Sequence, residues 1–362
     1  MSIKFVHAAD FHIGVSLSHL GTGLAKMRGD EIRQSLKRTV DFCKENNVDA
    51  LLITGDLFDN HKPTKADCEF VKNTLSSLSP VDVYIICGNH DYMCPESPFS
   101  KENYFSENVH IFPCYESSFE IPEKNVVLWG KSYDKASVEP SFDSCIFDES
   151  KINVIMLHGD TSEGSSFNII SKATLSDSLV NYAAFGHIHA GEVFNAGKVK
   201  CAYCGTPEGH SFKDNGITGI ILAEISEEGT ILKQVDFSLR KYKSLSFDIT
   251  EKTEQEIIDG IKSLTNSDDF FSFTLTGEYN ESSAPDIAYI REALEKDLHY
   301  IEINDDSYPG YDLDTIEKEE SLRGAFLREL REITNSEEEF AQAAKAGLDA
   351  LGGRVPHLGG AL

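Results

Sequence analysis

The stretch VDVYIICGNHD, residues 81–91, runs from apolar side chains straight into a glycine, an amide, an imidazole and a carboxylate. A Val/Ile-rich run of this length reads as a buried strand. A plain turn after it needs Gly88 and Asn89; His90 and Asp91 exceed that need. The same design recurs in IKFVHAAD (3–10), VDALLITGD (48–56), INVIMLHGD (152–160) and YAAFGHIHAG (182–191). Helical stretches lie between the early runs. Ile32, Leu36, Val40 and Cys43 share one helical face, and so do Cys68, Val71, Leu75 and Leu78. Strand–helix alternation predicts an α/β domain. In such domains ligands gather at the C-terminal ends of strands, where all five polar clusters fall.

Bulk properties narrow the function classes. The 362 residues carry 40% apolar side chains, enough for a large core. The net charge of −27 repels polyanions. It is uneven: residues 241–362 carry −15 and the first 240 carry −12, which suggests a boundary near 240. No apolar run reaches the ~18 residues of a membrane span, and MSIKFVHAAD lacks a signal-peptide pattern. Eight scattered cysteines, with one CxxC at Cys201 and Cys204, predict reduced thiols. The expected location is cytoplasmic, with no membrane partner.

Beyond residue 192 the pattern becomes β-rich. From 241 to 305 a strand, helix, strand, helix, strand order predicts a small α+β module. Residues 306–362 read as an acidic helical tail. Leu322, Phe326, Leu330 and Ile333 form one stripe; Phe340, Ala344, Leu348 and Leu351 form another, behind a capping box at Ser336 and Glu339. The last dozen residues are expected to fray.

The strand ends offer Asp10, His12, Asp56, Asn89, His90, His158, His187 and His189. Carboxylate, imidazole and amide oxygen suit Mn, Fe or Zn, with no thiolate among them. In an extended segment residues i and i+2 point the same way, so Asp10/His12 and His187/His189 are expected to present pairs. One bridging carboxylate, with Asp56 the natural choice, would hold two cations ~3.5 to 4 Å apart, as in phosphoryl transfer.

The order ADFH, GDLFD, GNHD, HGD, GHIH resembles the calcineurin-like metallophosphoesterases, over residues 1 to about 210. Within them FVHAADFHIG, LLITGDLFDNHKPT and YCGTPEGHSF resemble the SbcD/YhaO-type DNA-repair exonucleases. The resemblance implies an α/β, two-sheet β-sandwich flanked by helices (the metallophosphoesterase fold). It further implies a nuclease domain at 1–240, an α+β cap at 241–305 and a helical tail at 306–362 that could dock a partner. Asp10, His12, Asp56 and His189 would hold one divalent metal ion, and Asp56, Asn89, His158 and His187 the other. Manganese is the first choice, with Fe²⁺ or Zn²⁺ as alternatives. His90 would serve as acid and Asp91 would orient its ring. Asp59 takes a place that is histidine in some relatives and is expected near the metals. His61 is expected in a solvated loop. His210 either faces substrate or packs.

The implied activity is a manganese-dependent DNA exonuclease acting on DNA ends beside an SMC-like ABC ATPase. A homodimer is also common among such proteins. Two alternatives stay open: a small phosphodiester or nucleotide hydrolase, and a chiefly regulatory role beside the ATPase. Lys26, Arg28, Arg33, Lys37 and Arg38 form a basic cluster that either meets DNA or is merely solvated, as do Arg240, Lys241 and Lys243.

Overall fold

The computed structural model describes residues 2–138, 142, 145–162, 169–214, 216–226, 228–281 and 284–355. The chain divides into two units, Met1–Tyr242 and Lys243–Leu362.

The first unit contains strands β1 (Ser2–Ala8), β2 (Ala50–Thr54), β3 (Asp82–Ile86), β4 (Val109–Ile111), β5 (Ser117–Ile121) and β6 (Val126–Gly130). They are followed by β7 (Ile152–His158), β8 (Tyr182–Gly186), β9 (Glu192–Ala196), β10 (Val199–Tyr203), β11 (Gly219–Ser226) and β12 (Gly229–Asp236). One six-stranded sheet runs β12-β11-β1-β2-β3-β4; the other runs β5-β6-β7-β8-β10-β9. β1 through β4 are parallel, as are β6, β7, β8 and β10, while the remaining strands run antiparallel at the margins. β2, β7 and β8 are buried along their whole length, as central strands covered on both faces must be.

Phe5, Leu52 and Ile86 of the first sheet share one core with Leu128, Val154 and Met156 of the second. This is the expected two-sheet sandwich. Helices α1 (Gly21–Glu45) and α2 (Lys65–Ser76) bury the predicted faces, Ile32, Leu36, Val40 and Cys43 on one, Cys68, Val71 and Leu75 on the other. α3 (Lys172–Ser176) adds Leu175 to the core on the outer face of the second sheet. Within the sandwich, His7 Nδ1 lies 2.8 Å from the Tyr182 hydroxyl and Nε2 3.0 Å from that of Thr54. Burial pulls this imidazole down to about 3, so it is a neutral core residue. Cys201 and Cys204 are buried free thiols.

The second unit contains β13 (Tyr242–Asp248), β14 (Phe270–Thr276), β15 (Glu278–Asn280), β16 (Tyr300–Asp305) and β17 (Tyr308–Gly310). Its helices are α4 (Glu254–Leu264), α5 (Ile287–Glu295), α6 (Leu313–Glu317), α7 (Leu322–Ile333) and α8 (Glu337–Leu351). β13, β14 and β16 form a sheet on which α4 and α5 pack through Ile257, Ile258, Ile261, Ile290 and Leu294. β15 and β17 pair across the expected 305/306 boundary.

The α8 stripe is buried at Phe340, Ala344 and Leu348. The α7 stripe is rotated from expectation. Leu327 and Leu330 are buried, whereas Leu322 and Ile333 are 73% and 74% exposed. The strip that α8 covers centres nearer Leu327, and the two end residues fall at its margin. The expected fraying lies for the most part outside the described residues, as does His357.

Candidate metal centre

The backbone sets the site before any side chain does. β1, β2 and β8 each end in a turn that uses the left-handed region: Asp10 (φ 55°), His12 (φ 49°), Asp56 (φ 51°) and His187 (φ 97°). Non-glycine residues avoid this region at a cost of order 1–3 kcal/mol each, and such strain concentrates at functional sites. The expectation that Asp10/His12 and His187/His189 pair through extended backbone is therefore corrected. Left-handed turns bring them together. Asp10 N–H donates to Gly55 O (3.1 Å) and His12 N–H to Asp56 O (3.0 Å), which ties the first two loops to each other.

Gly88 does not take a left-handed φ. It is glycine for space: a Cβ there would collide with Asp56 Oδ1 and the His158 ring.

The seven expected ligands converge. His158 Nε2 lies 3.3 Å from Asp56 Oδ2 and 2.9 Å from Asn89 Oδ1. His187 Nδ1 lies 3.1 Å from the same Asn89 oxygen. His12 Nε2 is 3.7 Å from Asp56 Oδ2 and 3.2 Å from His189 Nε2. Ligand atoms of Asp10, His12 and His189 lie within 4.8 Å of one another, as do those of Asp10, Asp56 and His158, and those of His12, Asp56 and His90. Asp10, His12, Asp56 and His158 are all buried.

The donor set fits divalent cations for a specific reason. His12 Nδ1 faces Asp59 Oδ1 at 3.2 Å, His158 Nδ1 faces Thr54 O at 2.9 Å, and His189 Nδ1 faces Asp214 Oδ1 at 2.8 Å. Each acceptor holds a proton on Nδ1 and turns the Nε2 lone pair inward, the usual outer arrangement of a metal-bound histidine. The lone pairs then face carboxylates, an amide oxygen and one another. Acceptors packed against acceptors need positive charge between them.

Titration reflects that need. Burial opposes charging His158, yet Asp56, Asp10 and the Thr54 carbonyl together raise the ring to about 9. Burial likewise opposes charging His189, and Asp214 raises it to about 9. Burial and the neighbouring His158 lower His187 to about 4. Burial works to raise Asp56, but His158 and His12 hold it well below the usual carboxylate range. Asp10 is raised, chiefly by burial.

His90 sits where expected but is held differently. Its Nδ1 donates to Asp59 O at 3.0 Å, and its side chain is 44% exposed. Asp91 does not orient it. That carboxylate is buried and accepts backbone N–H bonds from Gly88 (2.7 Å), Leu57 (2.8 Å) and Phe58 (3.2 Å). It clamps the second loop to the third. Burial and the Asp56 charge raise it to about 7. Asp59 takes the role assigned to Asp91.

His61 lies in a loop, partly exposed as expected, and stacks on Tyr92 at 4.5 Å. Asp214 escaped the sequence reading altogether, because nothing in an acidic chain sets one carboxylate apart.

The arginines of the basic cluster are paired with carboxylates of the protein itself rather than merely solvated. Arg28 is fully buried against Glu31 and against Glu208 (3.0 Å). Arg38 reaches Glu208 at 3.0 Å, Arg33 reaches Asp67 at 2.6 Å, and Arg240 reaches Glu31 at 2.8 Å. Of the five cluster residues on α1, Lys26 and Lys37 are the exposed ones. Glu208 also accepts Leu239 N–H (2.8 Å) and Arg240 N–H (3.1 Å).

The calcineurin-like phosphoesterase model matches residues 3–191. The chain is 27% identical over 239 residues to the uncharacterized metallophosphoesterase YhaO of Bacillus subtilis, covering 62% of this chain and 58% of that one. It is 22% identical over 278 residues to the D subunit of nuclease SbcCD of the same organism, covering 63% and 68%. A dimetal phosphatase from Danio rerio superposes with a TM-score of 0.45 at 13% identity, covering 64% of this chain and 95% of that one. The chain thus spans little more than half the length of YhaO. No helix among the described residues is long and apolar enough to cross a membrane.

Proposed function

The chain belongs to the calcineurin-like phosphoesterase family and is a metal-dependent phosphoesterase; from that premise we propose that it is a two-metal phosphodiesterase cutting DNA at its ends. The observation that carries the reading is the convergence of carboxylates, imidazoles and an amide oxygen from five loops around Asp56 and Asn89. Asp10, His12, Asp56 and His189 would hold one cation; Asp56, Asn89, His158 and His187 would hold the other. Manganese suits this oxygen and nitrogen set. When bound, the cations supply Lewis acidity and a water acidified toward neutrality.

The protein's own groups do the remaining work. Asp59 O fixes His90 Nδ1, which leaves Nε2 to give a proton to the departing oxygen. Such an acid contributes about 10²- to 10⁴-fold. Thr54 O and Asp214 fix the tautomers of His158 and His189.

DNA as substrate is supported by similarity to the D subunit of a nuclease, SbcCD. The charge of −27 and the internally paired arginines make the chain a weak DNA binder by itself. An SMC-like ABC ATPase partner would supply the grip. The same acidity favours a second reading, hydrolysis of a small phosphodiester or nucleotide. The test is cleavage of labelled single- and double-stranded DNA with Mn²⁺, with and without the ATPase, beside bis-p-nitrophenyl phosphate. Cutting of DNA ends supports the first reading. Hydrolysis of the small ester with DNA left intact in every mixture rejects it in favour of the second.

A further inference from the structure

The loop after β10, residues 205–214, is tied down by several hydrogen bonds and ion pairs. Thr206 Oγ1 donates to Asp10 O (2.8 Å), and Thr206 N–H to His189 O (3.0 Å). Glu208 is saturated by two arginines and two backbone N–H groups. Asp214 accepts from His189, from His210 N–H (2.7 Å) and from Ser211 N–H (3.1 Å).

His210 breaks the pattern. The residue is 8% exposed, and its Nε2 is buried with no hydrogen-bond partner. Its ring stands edge-on to His12 at 5.1 Å and to His189 at 5.6 Å, two expected ligands of one cation. Its Nδ1 is 3.8 Å from Asp214 Oδ2, too far for a hydrogen bond to fix the proton there. A buried polar atom left unpaired is destabilising, and natural proteins rarely carry one without a use. The firmly anchored loop holds that imidazole beside the cation site, with a fully bonded Glu208 on one flank and Asp214 on the other.

We propose that His210 is a substrate-positioning residue whose Nε2–H donates to a phosphoryl oxygen of the substrate, or of product phosphate, bound at the cation held by Asp10, His12, Asp56 and His189. The inference rests on the two-cation reading and assigns a residue that the ligand set does not include.

The test uses the full-length protein loaded with manganese, metal content by elemental analysis, and calorimetric titration with inorganic phosphate. Three forms are compared: wild type, His210→Phe and His210→Gln. Phenylalanine keeps the ring's shape without a donor. Glutamine sacrifices the ring but places an amide N–H near the Nε2 position.

The expected result is unchanged manganese content in all three, a dissociation constant for phosphate raised about tenfold in H210F, and a rise of less than about threefold in H210Q. A packing role would reverse that order, with H210F the milder change, and would overturn the proposal. Phosphate binding of wild-type strength in H210F would overturn it too, as would loss of manganese from H210F or no phosphate binding to the manganese-loaded wild type. A wild-type protein that takes up no manganese refutes the two-cation reading itself, and the inference falls with it.

Discussion

The strand-end loops of the first unit and the helices of the second solve folding in opposite ways. In the loops, Asp10, His12, Asp56 and His158 are buried, and four expected ligands hold left-handed backbone. In the second unit, α4 is closed by a Thr253/Glu256 capping box, and Asp286, Asp312, Ser321 and Ser336 cap the later helices. Its core is almost wholly aliphatic and aromatic. Most local choices there agree with the fold, with Glu251 (φ 59°) an exception. In the loops, local preference is overruled repeatedly, and the overruled residues all carry ligand chemistry. That conflict, more than burial or charge alone, marks where function resides.

The sharpest way to break the comparison is Asp56→Ala. It removes the carboxylate shared by both expected ligand sets. Elemental analysis should find both cations lost and turnover reduced to background, with the helical content of the second unit unchanged by circular dichroism. Retention of both metals would deny Asp56 its bridging place.

Next in size is His90→Asn, expected to keep both metals and lower kcat by about 10²- to 10⁴-fold. An unchanged kcat would remove His90 from the chemistry.

Charge pairs give a third contrast. Glu208→Gln takes from the fully buried Arg28 one of its two carboxylates, Glu31 being the other, and losing that charged hydrogen bond should cost about 1.5–3 kcal/mol in urea unfolding. Lys296→Ala opens an exposed pair with Glu292 at the end of α5 and should move Tm by less than about 2 °C. Equal effects would erase the distinction between the regions.

A fourth contrast concerns acid. His7 titrates near 3 in the fold against 6.5 unfolded. The fold accepts only its neutral form, so stability is complete above pH 6.5 and declines as the pH falls toward 3, by up to ~1.4 kcal/mol per unit. His7→Gln should flatten that decline in urea unfolding between pH 6.5 and 4. An unaltered slope would place the acid sensitivity elsewhere.

Much of this was legible in the sequence because strands announce themselves. Val, Ile and Leu runs ending in Gly-Asp or His-x-His marked the strands of an α/β domain and the polar residues at their ends; the two-sheet sandwich and the ligand set came from the family resemblance those motifs carry. What escaped depends on contacts between residues far apart in the chain. Asp214 meets His189, and Glu208 meets Arg28 and Arg38 across some 170 to 180 positions. In a chain with 60 acidic residues, nothing local singles those two out. Asp91 misled because its neighbour in sequence is His90, whereas its carboxylate turns away to three backbone amides. The α7 stripe misled because helical period gives a face but not which part of it α8 will cover.

The most direct measurement is electron paramagnetic resonance on the manganese-loaded protein, with the bound metal counted beforehand. Two manganese ions per chain with a spin-coupled spectrum are predicted, the coupling vanishing in Asp56→Ala. A single uncoupled ion, or none, would contradict a shared carboxylate at the meeting point of the five loops.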